Sequence, residues 1–450
     1  MSVKLIEEKK IFLKFVDFAD INLWDVKRYK AGKLKSNFDI VSLGQFINEE
    51  ATKLKPQDYP NQVFKILGVS NKIGIFDAYI QPTKEIKQAY KKMDIGFIAY
   101  NPYRVNVGSI GMRTKEHKND LISPAYVVFS CKSELNPDFL YKLFKTSKFN
   151  QVIRDNTTGA VRQNLTFDIL QTLNIPLPTS NEQENILNDY YHKINLANNW
   201  ERKAKQLENY IDKYLYNELG IKIPVQTDKQ FGKLLFVEFR DIARWDLLVS
   251  NNDVLPSLRK TKYELKELGK KFCFINRSWD KSNNENKYFN YIEIGAIDPI
   301  NGITEIKKIL KSKAPSRATQ IVETGDLIIG TTRPYLKKFT IISSDFDGDV
   351  CSSGFAVIAK SKNYNLNYLK QFLMSYFGLE QLKNRMTGGL YPAITDDELR
   401  KIKIPFPNIS TQNRIAEKTT RIKSIIKKLQ KSANNYQNQA IEEFESTIIK

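Results

Sequence analysis

Asn174-Ile175-Pro176-Leu177-Pro178-Thr179-Ser180-Asn181-Glu182-Gln183-Glu184-Asn185-Ile186 is written again as Lys403-Ile404-Pro405-Phe406-Pro407-Asn408-Ile409-Ser410-Thr411-Gln412-Asn413-Arg414-Ile415. In each passage a Pro-x-Pro exit is followed by a Gln, and each follows a Thr-Gly pair, Thr158-Gly159 and Thr387-Gly388. The offset is 229 residues, and it holds upstream, where Gly96 matches Gly325 and Arg104 matches Arg333. Ser123-Pro124-Ala125-Tyr126-Val127-Val128 likewise matches Ser352-Ser353-Gly354-Phe355-Ala356-Val357. Nearer the start of each copy the offset drifts: Leu43-Gly44 matches Leu268-Gly269 at 225, and Trp24-Asp25 matches Trp245-Asp246 at 221. The chain is one unit written twice, with insertions tolerated in the first part of each copy.

Each copy has two parts. The first, 20–178 and 241–407, reads as mixed α/β. Ile95–Tyr100 and Gly325–Gly330 are strand-like runs, and Leu140–Phe149 and Leu369–Leu382 are short helices. The Pro-x-Pro pairs then stop regular structure. The second part is a long helix. Asn181 and Ser410 are the expected N-caps, with Glu184 placed as in a capping box.

Along the second helix Ile415, Thr419, Ile422, Ile426, Leu429, Ala433, Tyr436 and Ala440 step by four and three, the a/d seam of a coiled coil. The first helix matches it with Ile186, Tyr190, Lys193, Ala197, Trp200, Ala204, Leu207 and Ile211. Lys193 alone breaks the pattern, and its stem can lie along an apolar groove. A helix from Asn181 to Leu219 is about 58 Å long at 1.5 Å per residue. Gly220 is its expected C′ residue, with Pro224 beyond. Two helices each packed on its own domain is the plainer reading, but two matched seams favour mutual pairing.

The expected fold is α+β: two tandem mixed α/β domains and two long helices that form an antiparallel coiled coil, related by a pseudo-two-fold. The expected boundaries are 1–180 for the first domain, 181–222 for the first helix, 223–409 for the second domain and 410–450 for the second helix. Such a unit would meet two half-sites of a duplex, with the helices as a ruler between them. Because the copies differ in sequence, the target would be asymmetric and bipartite.

Composition limits the function. The 450 residues carry 70 Lys and Arg against 50 Asp and Glu, a net charge of +20, which favours a polyanionic partner. A basic surface that binds nothing is the plain alternative. The hydrophobic fraction of 41% excludes a disordered chain, and no apolar run of 18 residues exists to span a membrane. Cys131, Cys273 and Cys351 are isolated, and the N-terminus lacks a signal-peptide core, so a cytoplasmic location is expected.

Two domains that each close with a hydrophobic-Pro-x-Pro turn, a Gln and a long helix resemble the specificity subunit of type I restriction-modification enzymes. Gly325-Asp326-Leu327-Ile328 and Ser353-Gly354-Phe355-Ala356-Val357 also fit that family's pattern. The resemblance implies a non-catalytic subunit with two target-recognition domains that read double-stranded DNA. It further implies that two adenine-methylating modification subunits dock on the helices and that motor-nuclease restriction subunits join them. S-adenosylmethionine, ATP and Mg would then belong to those partners. Glu182-Gln183-Glu184 becomes Thr411-Gln412-Asn413 in the second copy, a departure that makes the two docking surfaces unequal.

Chemistry of the chain's own is hard to find. Asn101-Pro102-Tyr103 is similar to the Asn-Pro-Pro-Tyr loop of amino-methyltransferases but lacks the second Pro. Asp298 with Glu305 and Lys307, and Asp77 with Glu85 and Lys87, match a nuclease acid-and-lysine set only loosely. No phosphate-binding Gly-x-x-x-x-Gly-Lys loop is present, and His117 and His192 are the two histidines.

Binding remains, with cations on phosphates and side chains on base edges. The candidates are Arg104, Arg113, Lys115 and Arg162 in the first domain, and Arg277, Arg317, Arg333, Lys337, Lys338 and Arg385 in the second. Arg277 lies in the insertion-tolerant run Asn276–Asn284, the expected base-reading loop. The competing reading is a duplicated scaffold that positions protein partners and reads no DNA sequence.

Overall fold

The computed structural model describes residues 34–157, 164–222, 254–281 and 287–450. Two compact units emerge: residues 1–197 with 434–450, and residues 198–433. Each unit is built from one α/β domain and a segment of both long helices.

The repeat is visible in the helices that follow the strands of each copy. In the first copy α1 spans Pro137–Lys145, α2 Ser147–Asn156, α3 Phe167–Gln171 and α4 Ser180–Leu219. In the second, α5 spans Leu366–Met374, α6 Tyr376–Arg385, α7 Asp396–Arg400 and α8 Ile409–Ile448. Every one of these boundaries shifts by 229. Local chemistry explains why. Asn136 and Asn365 cap α1 and α5 with their side-chain oxygens, and Thr166 and Thr395 cap α3 and α7. Phe139, Leu140, Leu143 and Phe144 then recur on one face of α1, all buried.

Each region expected as a single helix is two. Thr146 and Ser375 take extended backbone and break the helices at 146 and 375, with Thr146 capping α2 through Phe149 N–H. The strands expected from 95 and 325 begin at Ile98 and Leu327 instead. Gly96 and Gly325 turn the chain just before them, with φ of 88° and 93°.

Sheet order is also duplicated. In the first unit a four-stranded sheet runs Ile47–Glu49, Val127–Cys131, Ile98–Tyr100, Ile110–Met112. Its counterpart in the second runs Phe274–Ile275, Phe355–Ile358, Leu327–Gly330, Phe339–Ile341. The five-stranded sheets correspond too: Lys53–Leu54, Tyr90–Lys92, Leu121–Ile122, Val63–Ser70, Gly74–Pro82 against Arg277–Ser278, Ala318–Ile321, Val350–Ser352, Tyr288–Ile292, Lys307–Leu310. In each sheet the third and fourth strands pair in parallel and the rest antiparallel. The copies differ where the offset drifts. A tight hairpin joins Val63–Ser70 to Gly74–Pro82, whereas Ile292 reaches Lys307 through a longer connection holding the small ladder Ile297–Asp298 with Gly302–Ile303.

The helices pair antiparallel within each unit. In the second unit Ala204, Leu207 and Ile211 of α4 pack with Ile422, Ile426 and Leu429 of α8. Arg414 meets Glu218 at 2.6 Å and Gln430 meets Glu208 at 3.4 Å, so partners rise on one helix as they fall on the other. In the first unit Lys193, the break in the expected seam, pairs with Glu443 at 2.8 Å, and the Tyr190 and Phe444 rings stack edge-on. Ile186, Tyr190 and Trp200 are half-buried, Ala197, Ile415 and Ala433 fully buried, and Tyr436 half-buried.

The seam continues past the residues that mark it in sequence. Phe444, Ile448 and Ile449 enter the core of the first unit beside Phe139 and Leu187. Leu215, Tyr216 and Leu219 enter the core of the second beside Leu369, Phe377 and Ile415. Gly220 ends α4 as expected, at φ 69°, with Ile221 N–H returning to Tyr216 C=O.

The capping residues are not those expected. Thr179 caps α4 in a box with Glu182, its N–H and hydroxyl both donating to Glu182 Oε2, at 2.8 and 2.7 Å. Asn408, in the matching position, caps α8 through Thr411 N–H at 2.9 Å. Both Pro-x-Pro exits deliver the chain to the cap two residues earlier than Asn181 and Ser410. Among the described residues no helix is long and apolar enough to cross a membrane.

Candidate nucleic-acid interface

The repeated Gln is a structural tether. Gln183 is fully buried; its Oε1 accepts Asn136 N–H at 2.8 Å and its amide donates to the carbonyls of Glu134 and Pro178. Gln412 repeats this with Asn365 N–H at 2.9 Å and the Pro407 carbonyl at 2.8 Å. Each Gln thus fixes the start of its long helix to the cap of the domain helix.

The sequence candidates divide by what their side chains touch. Arg277 is committed inside the fold: its guanidinium bridges Glu323 at 2.8 Å and the buried Asp326 at 2.6 Å. Asp326 also accepts Glu323 N–H, so the Gly-Asp-Leu-Ile motif closes a turn. Arg113 donates to Met93 C=O at 2.7 Å. Arg385 pairs with Glu398 at 2.8 Å, and Lys338 donates to Ile297 C=O. These four hold turns and helix ends together, which sequence alone does not reveal because their partners lie 13 to 49 residues away.

Arg104, Lys115 and Arg317 are exposed. Arg104 opens the turn Val105–Val107 and Arg317 precedes the strand Ala318–Ile321. Arg162 lies outside the described residues, as do Thr158-Gly159 and 282–286 of the expected base-reading loop.

Arg104 and Arg333 occupy matching positions but differ. Arg104 has φ −136°, whereas Arg333 is left-handed at φ 49°, ψ 56°. Arg333 Nη2 donates to Leu390 C=O at 3.1 Å, and its guanidinium lies 4.8 Å from the centre of the Tyr391 ring. Lys337 closes the same turn at φ 56°, where the first copy has Gly108 at φ 86°. Burial pushes Lys423 of α8 down to about 7, with Lys370 and Lys337 adding repulsion and Asp212 opposing it. Burial also lowers Lys370 and raises Asp212.

The loose acid sets resolve into turns. Asp77 accepts Lys118 and Asn119 N–H, Asp298 accepts Ile300 and Asn301 N–H, and Lys307 pairs with Glu293. His117 bonds Thr114 and the Ile75 carbonyl, and His192 is exposed.

Residues 259–435 match the model of the type I restriction modification DNA specificity domain. This part of the chain is similar to such a specificity domain. A stretch of 185 residues is 25% identical to the specificity subunit of the type I restriction enzyme HindI from Haemophilus influenzae, covering 39% of this chain and 38% of that protein. The chain thus spans well under half the length of this curated relative. A chain from a solved type I R-M system superposes with a TM-score of 0.56 at 15% identity, over 92% of this chain and 97% of that one. The S subunit of a type I restriction-modification system from M. genitalium gives a TM-score of 0.46 at 14% identity, over 92% and 98%. The first of these likenesses extends the mixed α/β fold of the specificity domain over nearly the whole chain.

Proposed function

We propose that this chain is the DNA sequence-specificity subunit of a type I restriction-modification system. One observation carries the reading. The fold of the specificity-domain match at 259–435 recurs in the first copy, with the same sheet order and with its helices at an offset of 229, so the chain reads as two such domains. Two related but unequal domains suit an asymmetric, bipartite duplex target. The net charge of +20 supplies the phosphate attraction, and Arg104, Lys115 and Arg317 are the candidate cations left exposed to meet it.

The chain carries no cofactor on this reading. Adenine methylation with S-adenosylmethionine and ATP-driven cleavage with Mg fall to modification and restriction subunits. The outward faces of α4 and α8 are their docking surfaces. Those faces differ: Tyr210 and Tyr214 stack on α4 with Lys418 of α8 lying 4.6 Å from the Tyr214 ring centre, whereas Gln439 and Glu443 stand at the matching positions of α8.

Mapping methylated adenines in a host that expresses the chain with its modification subunit tests this. A two-part motif that changes in one half when residues 34–178 are exchanged for those of a relative is the expected result. Methylation independent of this chain would overturn it.

A further inference from the structure

Resting on that reading, we propose that Leu390 and Tyr391 form an apolar finger that contacts the bases of one DNA half-site, with Arg333 as its positioning residue. The loop they occupy is held firmly. Thr387 and Ala393 exchange backbone hydrogen bonds at 2.8 and 2.9 Å, Arg333 N–H donates to Pro392 C=O at 2.8 Å, and Ile394 N–H donates to Thr331 C=O at 3.0 Å. The Arg333 side chain adds the bond to the Leu390 carbonyl and the stack on Tyr391.

At the tip, Gly388 turns the chain at φ 95°, and a Cβ on Gly389 would meet nothing within 4 Å. Leu390 is 80% exposed and Tyr391 67%. The fold therefore fixes the backbone of two large apolar side chains without using them for its own core.

Backbone strain supports a functional role. Three described non-glycine residues have positive φ, and two of them, Arg333 and Lys337, bracket the turn beside this loop. Non-glycine residues in that region are strained and persist where the surroundings enforce them, often at functional sites. Arg333 Nε is also buried without a hydrogen-bond partner, a further cost of holding the guanidinium under the loop.

The chemistry of the tip selects what it touches. Phosphates are met by cations and N–H donors. A leucine side chain and a tyrosine ring instead suit thymine methyl groups, base faces and opened base steps. Arg333, spent on the loop, is not itself the base contact.

The test is selection from a randomised 30-base-pair duplex library by the full-length chain, alone and with a co-expressed modification subunit. Leu390→Ala and Tyr391→Ala should relax the preference at one or two adjacent base pairs of a single half-site. They should weaken binding to the wild-type motif about tenfold, with the other half-site and the melting curve unchanged. Arg333→Lys should relax the same positions without moving the melting curve. An unchanged motif and affinity in both alanine variants would overturn the finger while leaving the DNA reading intact. Weakening at both half-sites with a lowered melting curve would also overturn it, because the loop would then be structural. A wild-type chain that selects no motif in either form overturns the reading underneath.

Discussion

Glu445, in the last turn of α8, accepts the backbone N–H of Lys148 at 2.6 Å, and its carboxylate also takes the Ser147 hydroxyl and N–H. It thereby caps α2, the helix nearly 300 residues earlier in the chain. Its counterpart at the 229 offset is Tyr216, whose hydroxyl accepts the N–H of Tyr376 at 3.1 Å and caps α6. Ser147 and Tyr376 are themselves 229 apart. The end of each long helix therefore completes the domain written in the other copy. The hydrophobic contacts agree, since Phe444 and Ile448 lie in the first unit's core and Leu215 and Leu219 in the second's.

Removing Glu445 should open the first unit locally. Glu445 is buried, so Glu445→Ala strands two N–H groups at the positive end of α2, a loss of about 2–3 kcal/mol. Hydrogen exchange should quicken through 147–156 while 376–385 stays protected. Tyr216→Phe should do the reverse, and by less, because it removes one neutral hydrogen bond worth about 1 kcal/mol. Equal loss of protection in both segments from either variant would contradict separate completion of the two units.

The buried glutamines make a second comparison. Gln183→Leu leaves Asn136 N–H and the Pro178 carbonyl without partners and should cost about 2 kcal/mol in urea unfolding. Gln183→Glu should be no better, because a carboxylate turned toward the Glu134 and Pro178 carbonyls cannot donate to them. Gln412→Leu should match Gln183→Leu within a few tenths of a kcal/mol. A neutral Gln183→Leu would remove the tether from the account of why this residue recurs.

The duplication and the helical seam were legible because both are short-range or periodic. An offset of 229 can be counted, and steps of four and three survive without any knowledge of partners. The candidate interface was less legible for a physical reason. Whether an arginine is free depends on carboxylates and carbonyls far along the chain, and Arg277 looks like Arg317 until Asp326 is brought to it. The caps slipped by two residues because Asn181 and Ser410 are also good capping types. What favours Thr179 is its reciprocal bonding with Glu182, and Asn408 stands at the matching residue. The Gly388–Tyr391 loop carried a sequence signal, a Gly-Gly followed by two large apolar residues. Its exposure and its link to Arg333 needed the fold.

Lys337→Gly should stabilise the second unit. The first copy places Gly108 at this turn, and a lysine at φ 56° bears the Cβ clash that glycine avoids. Against about 1–2 kcal/mol of relieved strain stands up to about 1 kcal/mol of added freedom in the unfolded chain, leaving a gain of about 0.5–1 kcal/mol. Thermal melts of wild type and Lys337→Gly compare the two, and Lys337→Ala, which keeps the Cβ, should show no such gain. A destabilised Lys337→Gly would mean that the lysine side chain contributes more than its backbone costs.

Lys423 sets a pH dependence with a definite sign. Its pKa, ordinarily 10.5, is pushed down to about 7 by burial and by Lys370, so the folded chain sheds this proton far earlier than the unfolded chain does. Between about pH 7 and 10 the unfolded state holds the extra proton, and stability from this group rises with pH across that window. Below pH 7 both states are protonated, and the folded state carries the full cost of a confined charge. Lys423→Met removes that charge while keeping an unbranched side chain of similar reach. It should raise stability by about 1–2 kcal/mol at pH 6. The gain should shrink as pH climbs toward 10, where the wild-type lysine is already neutral when folded. Urea unfolding of both proteins at pH 6, 7, 8 and 9 reads this directly. A gain of the same size at every pH would show that packing beside Asp212 and Lys370, and not the charge on Lys423, is what the substitution changes.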